Sequence, residues 1–260
     1  MIKIDSYAYS SKLSKELPKS KLLFGCIPLM ICLFANSFLA NIVTIILMGL
    51  ISVKYTQIGF RKYLNLMLIP FAFLIIGTLS IIISKHSIGH RVLLGFQLQN
   101  SVYGIDYTSL MYGLNLILKA LAAVSCMYFI SLNTPMTDIL AALEKLKIPK
   151  LMISLMELIY NYIFILLDEA AKMKIAQSSR LGYIDFKTSV KSTGELIARL
   201  FLRTYMRCDR IYSALESRGY TGEFKTLEKT YGNQKKLMLF SILNGVILIA
   251  ISFIERRFIL

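Results

Sequence analysis

The chain contains few of the side chains that soluble enzymes use for chemistry. It has no tryptophan, two histidines, four cysteines and half as many acidic residues (15) as basic ones (30). Without a Cys-x-x-Cys pair, neither a disulfide framework nor a zinc site is indicated. Without a Gly-x-x-x-x-Gly-Lys-Ser/Thr loop, the chain is not expected to hydrolyse ATP itself. His86 and His90 are spaced for a helical metal site, but two ligands are incomplete, so we expect no bound metal or cofactor.

The chain is instead rich in long apolar runs. Of its 260 residues, 56% are hydrophobic, and the mean hydropathy is +0.61. These values are too high for a soluble domain of this size and predict an all-α polytopic membrane protein. Because a bilayer core of about 30 Å requires about 20 helical residues, the sequence predicts spans at 63–83, 107–132 and 237–254.

The first apolar run, 22–53, is too long for one ordinary span and short for two. Asn36 and Ser37 near its middle favour a hairpin of two helices, with one bent helix as the alternative. The flanks 1–21 and 54–62 are both basic, as expected if both lie in the cytoplasm. The sequence therefore predicts about five spans in the plasma membrane, with a cytoplasmic N-terminus.

This topology divides the chain into three parts. An N-terminal membrane domain (1–132) precedes a cytoplasmic or interfacial coupling domain (133–236), and a transmembrane helix (237–260) ends the chain, with 84–106 outside. The coupling domain holds more than half of the basic residues. Within it, 152–167 is apolar enough to lie in or against the membrane before the charged residues that follow. We expect an L- or V-shaped arrangement of long coupling helices.

Two arginines end the base-rich stretches of the coupling domain. Each follows an alanine by four residues and precedes a glycine that favours a helix end, in the sets Ala176, Arg180, Gly182 and Ala214, Arg218, Gly219. One such end is an ordinary helix terminus, since a cation in the last turn gains about 0.3–1 kcal/mol from the helix dipole. Two such helix ends, with a helix break near 181–185 between them, allow the two helices to form a V that brings both guanidinium groups to one side.

Other basic residues suggest contact surfaces. Steps of four, four and three place four arginines on one helical face: Arg199, Arg203, Arg207 and Arg210. This basic stripe is either a solvated face near anionic lipid headgroups or a docking face. Lys119 lies inside the span 107–132, where an ionised side chain costs about 2.5–3.5 kcal/mol. It could snorkel, pair with a carbonyl at a helix break, or face a partner membrane subunit.

The motifs together resemble a known family. The run Leu200–Arg207, followed by Ile211–Gly222 with Arg218-Gly219-Tyr220, is similar to the signature of the transmembrane T component of energy-coupling-factor importers. The segments Asn133-Thr134-Pro135 with Asp138, and Ile4–Ser10, extend the resemblance over nearly the whole chain. It is closest to the CbiQ-like branch that serves cobalt.

The resemblance implies a non-catalytic subunit that transmits force. Arg180 and Arg218 would each sit in a groove of one of two ATP-binding-cassette ATPase subunits, with Ala176 and Ala214 allowing close approach. A separate membrane substrate-binding subunit, the S subunit, would hold the metal, and no nucleic acid is implied. The chain departs from the family pattern at Leu181, where glycine usually follows the first arginine.

Several alternatives stay open. The substrate could be nickel or a vitamin rather than cobalt. A membrane-embedded transferase acting on a pyrophosphate substrate would need an Asp-rich metal motif, whereas Asp168-Glu169 is the only adjacent acidic pair and lies beside lysines. A secondary transporter would need carboxylates within its spans, and the four apolar runs contain none.

Overall fold

The computed structural model describes residues 3–11, 13, 16–86, 94–98, 101–105, 107–146, 148–219 and 235–259. Within these ranges the chain forms nine α-helices and three short strands. In chain order they are α1 (Lys3–Ser10), α2 (Pro18–Ala35), α3 (Phe38–Thr56), α4 (Phe60–Ile82), β1 (Ile83–His86), β2 (Leu94–Leu98), β3 (Ser101–Ile105), α5 (Tyr107–Asn133), α6 (Met136–Glu144), α7 (Lys150–Ser178), α8 (Phe186–Ser217) and α9 (Lys235–Ile259).

The helices form two compact units. The membrane unit comprises residues 2–139 and 229–260, and the arm unit comprises residues 140–228. In the membrane unit, α9 packs against α2 and α3, so the last helix joins the helices at the start of the chain. In the arm unit, α7 packs against α8.

Among the described residues, six helices are long and apolar enough to cross a membrane, which confirms a multi-pass, all-α membrane protein. The candidate beyond the five predicted spans is α7, which is long and apolar enough by length and composition alone. The sequence predicts that 152–167 lies in or against the membrane but does not predict a span there, since Glu157 and the following charges interrupt the apolar pattern. The spans predicted at 63–83, 107–132 and 237–254 are confirmed as α4, α5 and α9, with ends shifted by up to five residues.

The first apolar run forms the predicted hairpin rather than one bent helix. Asn36 ends α2 in the left-handed conformation, with φ 45°, and Ser37 caps α3 by accepting a hydrogen bond from the backbone N–H of Ala40 at 3.2 Å. Asparagine tolerates the left-handed region better than most residues, and serine is a favoured N-cap. The two-residue break is therefore encoded locally.

A carboxylate from α9 completes the hairpin tip. Glu255 accepts hydrogen bonds from the Ser37 hydroxyl and from the backbone N–H groups of Phe38 and Leu39, the latter two at 2.9 and 3.1 Å. These N–H groups have no partner within α3, because they lie in its first turn. The negative charge is also favourable at the positive end of the helix dipole. This contact joins α9 to the hairpin.

The segment predicted as an outside loop, 84–106, contains a small antiparallel sheet with strand order β1-β3-β2. Strands of four or five residues were not apparent from the sequence because they lack a sustained apolar alternation. His86 ends β1, opposite Val102 of β3, and so does not lie on a helix. His90 lies outside the described residues.

A fully buried ion pair lies in the membrane unit. The Lys21 ammonium of α2 donates to the Asp138 carboxylate of α6 at 2.9 Å, and both side chains are 0% exposed. The Asn133 side-chain carbonyl at the end of α5 accepts from the hydroxyls of Ser11 and Thr56, at 2.9 and 3.0 Å. These two sets of contacts join α2 to α6 and the end of α5 to the ends of α1 and α3.

Removing either charge of the buried pair should destabilise the protein strongly, because the other charge stays buried and loses its ion-pair partner. We expect Lys21→Met or Asp138→Leu alone to cost about 3–5 kcal/mol, and the double change to cost much less. Denaturant unfolding of the purified protein in detergent measures this. The exposed pair Lys172–Asp168 provides a control, for which Lys172→Met should cost less than about 1 kcal/mol. Single variants as stable as the wild type would contradict the prediction.

Candidate functional site

The first arginine tip is built on a tightly closed helix end. The N–H of Gly182 donates to the carbonyl of Gln177 at 2.9 Å, and the N–H of Leu181 donates to that of Ser178 at 3.0 Å. This pair of bonds is a Schellman motif, whose penultimate residue adopts the left-handed conformation. Leu181 occupies that position with φ 58°. The helix break predicted near 181–185 is confirmed, since α8 begins at Phe186.

Position 182 requires glycine because there is no room for a side chain, and not because of its backbone conformation. A Cβ on Gly182 would lie 2.8 Å from the Gln177 carbonyl oxygen and 2.9 Å from the Ser192 hydroxyl oxygen. The left-handed position is the one directly after Arg180, and Leu181 fills it at a cost of about 1–2 kcal/mol. The departure from the family pattern therefore places conformational strain at the tip.

Gln177 organises the tip, a role that the sequence did not reveal. Its amide donates to the Ser192 carbonyl at 2.9 Å, and its side-chain carbonyl accepts from the Tyr183 hydroxyl at 2.8 Å. Ser192 in turn donates to the Gly182 carbonyl at 2.7 Å. These bonds join the end of α7, the connecting loop and the start of α8. The Arg180 side chain remains exposed on this fixed base.

A cleft between α7 and α8 lies beside this tip. Ala176 of α7 and Arg180 just beyond its end line one side of the cleft. Glu195 and Arg199 line it from α8. Ala176 is exposed and has only a methyl group, so it leaves the cleft accessible beside the arginine. Arg199, predicted as part of the basic stripe, therefore belongs to the same site as Arg180.

The second tip ends α8. Arg218 caps the helix with its N–H bonded to the Leu215 carbonyl at 3.0 Å. Gly219 follows with φ 72°, and no atom lies within 4 Å of the position that a Cβ would take, so its conformation rather than its size requires glycine. Ala214 and Arg218 are both exposed. The second tip thus matches the sequence expectation for a helix-ending arginine.

The prediction that a V brings both guanidinium groups to one side is wrong. Arg180 precedes α8 and Arg218 follows it, so the two lie at opposite ends of a 32-residue helix, about 48 Å long. The helix break reverses the chain, and α8 runs back along α7. Arg203 accordingly contacts Glu169 of α7 at 2.6 Å. The sequence located each tip but not their separation.

The basic stripe divides between two clefts. Arg203, Arg207 and Arg210 line a second cleft with α7, away from Arg199. Another face of α8 exposes large apolar side chains at a spacing of four, with Ile197, Phe201 and Tyr205 being 62%, 72% and 67% exposed. No residue of α8 is buried within the described chain. The helix therefore presents both a basic and an apolar surface.

Lys119 is paired at a helix break. Its ammonium donates to the side-chain carbonyl of Asn36 at 2.7 Å, at the turn between α2 and α3. Asn115, one turn earlier on α5, donates to the Asn36 backbone carbonyl at 3.4 Å and accepts from Asn41 at 3.2 Å. Pairing with a carbonyl at a helix break is one of the alternatives that the sequence leaves open for Lys119, and the structure shows it. The side chain is half-buried.

Six apolar helices among the described residues, together with a base-rich helical arm, define a multi-pass membrane protein, and comparison with known proteins gives its family. Residues 10–230 match the family model CbiQ, described as cobalt transport protein. The chain belongs to this family.

Relatives extend the match over the full length. An uncharacterized protein of Methanocaldococcus jannaschii is 30% identical over 99% of this chain and 95% of its own. The cobalt transport protein CbiQ of Salmonella typhimurium is 26% identical over 86% of this chain and 99% of its own. The energy-coupling factor transporter transmembrane protein EcfT of Staphylococcus aureus is 28% identical over 58% of this chain and 59% of its own.

Substitutions at the first tip should have opposite effects at adjacent positions. Leu181→Gly relieves the left-handed strain and is expected to be neutral or to stabilise by up to about 1 kcal/mol. Gly182→Ala forces a methyl group against the Gln177 carbonyl and should destabilise the arm. Protease susceptibility of the purified protein near residues 179–185 measures both. Gly194→Ala, in open space on α8, is the control and should not increase cleavage. A Gly182→Ala variant as resistant as the wild type would contradict this account.

Proposed function

We propose that this chain is the T component of an energy-coupling-factor importer for cobalt. It would transmit ATP-driven motion from two ATPase subunits to a membrane substrate-binding S subunit, without catalysis of its own. The names of the CbiQ and EcfT relatives support this assignment. The observation that carries it is the pair of exposed arginine tips at the two ends of α8. Two tips about 48 Å apart suit two separate protein partners better than one.

Each tip would bind one ATPase subunit. Arginine suits this role because its planar guanidinium makes bidentate bonds to carboxylates and stays charged. The glycine and alanine positions beside each arginine leave room for a groove wall to approach: Ala176 and Gly182 at the first tip, Ala214 and Gly219 at the second. Since Gln177 joins α7 to α8, a displacement of Arg180 would move both helices together.

The S subunit would take the apolar face of α8 and the surface at Lys119. Ile197, Phe201 and Tyr205 expose apolar surface that a second membrane subunit could cover. The Lys119 ammonium, although bonded to Asn36, is only half-buried and has further donor capacity. We place the chain in the plasma membrane, with the N-terminus and the arm unit on the cytoplasmic side because of their positive charge.

The contacts of the acidic pair favour this function over a transferase. Asp168 accepts from Lys172 at 2.6 Å, and Glu169 accepts from Arg203 at 2.6 Å. Carboxylates engaged by basic side chains are poor candidates for the metal site that a pyrophosphate transferase requires.

Reversing the charge of both tips should abolish ATPase binding while leaving membrane insertion intact. In Arg180→Glu with Arg218→Glu, each tip would repel the carboxylates that it is proposed to contact. Co-purification of the ATPase subunits and cellular uptake of labelled cobalt measure the effect, with near-complete loss of both expected. Each single variant should retain part of the binding.

The matched control for this experiment is Arg61→Glu with Lys62→Glu, which makes the same charge change at two exposed residues of α4. Normal recovery of ATPase with the double tip variant would refute the assignment. The wild-type complex distinguishes cobalt import from nickel or vitamin import. Excess unlabelled nickel or vitamin should reduce the uptake of labelled cobalt only if it is carried by the same importer.

Replacing Lys119 tests the proposed S-subunit surface. Lys119→Leu removes the ammonium but keeps an apolar side chain in the span, so the chain should still insert and bind ATPase. We expect weaker co-purification of the S subunit and reduced cobalt uptake. Asn36→Gly is the control, because it removes the partner within the chain, keeps the ammonium and tolerates the left-handed conformation of this position. Unchanged S-subunit recovery in Lys119→Leu would exclude this contact.

A further inference from the structure

The second cleft between α7 and α8, here called the arginine cleft, has no role in the proposed ATPase contacts. It encloses about 300 Å³ and lies within the arm unit. Its basic side is formed by Arg203, Arg207 and Arg210, and its only acidic lining residue is Glu169. The cleft therefore has an excess of positive charge.

Most of this charge is not neutralised by the described part of the chain. Glu169 is engaged by Arg203 at 2.6 Å. Arg207 lies over the Tyr162 ring, with 6.0 Å between the guanidinium carbon and the ring centroid, which leaves its N–H donors available. In the part of the chain that the structure describes, neither Arg207 nor Arg210 forms a salt bridge. Two guanidinium groups thus face a cleft to which the described residues contribute no second carboxylate.

The other side of the cleft is apolar. Ile165 and Leu166 line it from α7, and Leu200 lines it from α8. The α7 segment is long and apolar enough to cross a membrane, and Ile165 and Leu166 belong to it. A soluble phosphate would contact the arginines but leave this wall against water, whereas a ligand with a phosphate and a hydrocarbon chain would match both sides.

We propose that the arginine cleft binds an anionic phospholipid. The phosphate would accept hydrogen bonds from Arg207 and Arg210, since guanidinium groups bind phosphate in bidentate fashion. An acyl chain would lie along Ile165 and Leu166. Such a lipid would fill the space between α7 and α8 and join their facing surfaces. This proposal goes beyond ATPase coupling and does not depend on it.

The absence of tryptophan from the chain permits a direct test. Leu166→Trp introduces a single fluorescent reporter on the apolar wall of the cleft. The full-length protein is reconstituted into phosphatidylcholine vesicles that contain either brominated phosphatidylglycerol or brominated phosphatidylcholine at the same mole fraction. Bromine quenches tryptophan only at short range, so preferential binding of the anionic lipid should give an apparent affinity at least about fivefold higher. Equal quenching by the two lipids would overturn the proposal.

Variants of the arginines identify the site. In the Leu166→Trp background, Arg207→Gln with Arg210→Gln should abolish the preference for phosphatidylglycerol. Lys187→Gln with Lys191→Gln removes the same charge from exposed positions of α8 outside the cleft and should preserve it. A preference that persists in the arginine variant, or disappears in the lysine control, would assign the effect to general surface charge and overturn the proposal.

Two further measurements separate lipid from free phosphate and from effects of the reporter. Millimolar inorganic phosphate, compared with chloride at the same ionic strength, should leave the preference for phosphatidylglycerol intact, and its selective loss would indicate a phosphate site instead. Native mass spectrometry of the chain with Leu166 intact should show phosphatidylglycerol retained over phosphatidylcholine. The same spectrum from Arg207→Gln with Arg210→Gln should show no such selectivity, and retention of both lipids alike by the intact chain would contradict the proposal.

Discussion

The buried pair of Lys21 and Asp138 is the strongest constraint on the membrane unit. A charge with no solvent exposure is tolerated only when its partner is in place, so the start of α2 and the first turn of α6 cannot separate without a large cost. Asn133 extends this constraint to α1 and α3 through Ser11 and Thr56. The chain leaves the membrane unit within α6, directly after Asp138. The point where the chain passes to the arm unit therefore lies beside a buried ion pair.

Helix ends carry much of the remaining specificity. The hairpin tip uses Asn36 in the left-handed conformation, a carboxylate from α9 and the hydroxyl of Ser37. The first arginine tip has Leu181 in the same left-handed conformation, although a leucine side chain cannot form a local hydrogen bond that would stabilise it. Asn36 is a low-cost solution, whereas the strain at Leu181 is offset by the bonds that Gln177 makes across the tip. The strained position adjoins Arg180, the residue with the clearest proposed contact to a partner.

The sequence predicted the features that depend on local signals. The break at Asn36 and Ser37, the apolar spans and the helix end before Phe186 are each encoded within a few residues, and the structure confirms them. It did not predict the pairing of Lys21 with Asp138 or the role of Gln177, because both require segments that are distant in sequence to come together. The separation of Arg180 and Arg218 was also missed, since a helix break fixes the point of reversal but not the path of the chain afterwards.

The single long helix α8 has a geometric consequence. It contains no proline and runs without interruption from Phe186 to Ser217, with an arginine tip just beyond each end. Each residue inserted into it would lengthen the spacing by about 1.5 Å and rotate Arg218 by about 100° about the axis. Two whole turns would restore the angle but add about 10 Å. The length of α8 thus sets distance and azimuth together, so that the insertion or deletion of one residue cannot change one without the other.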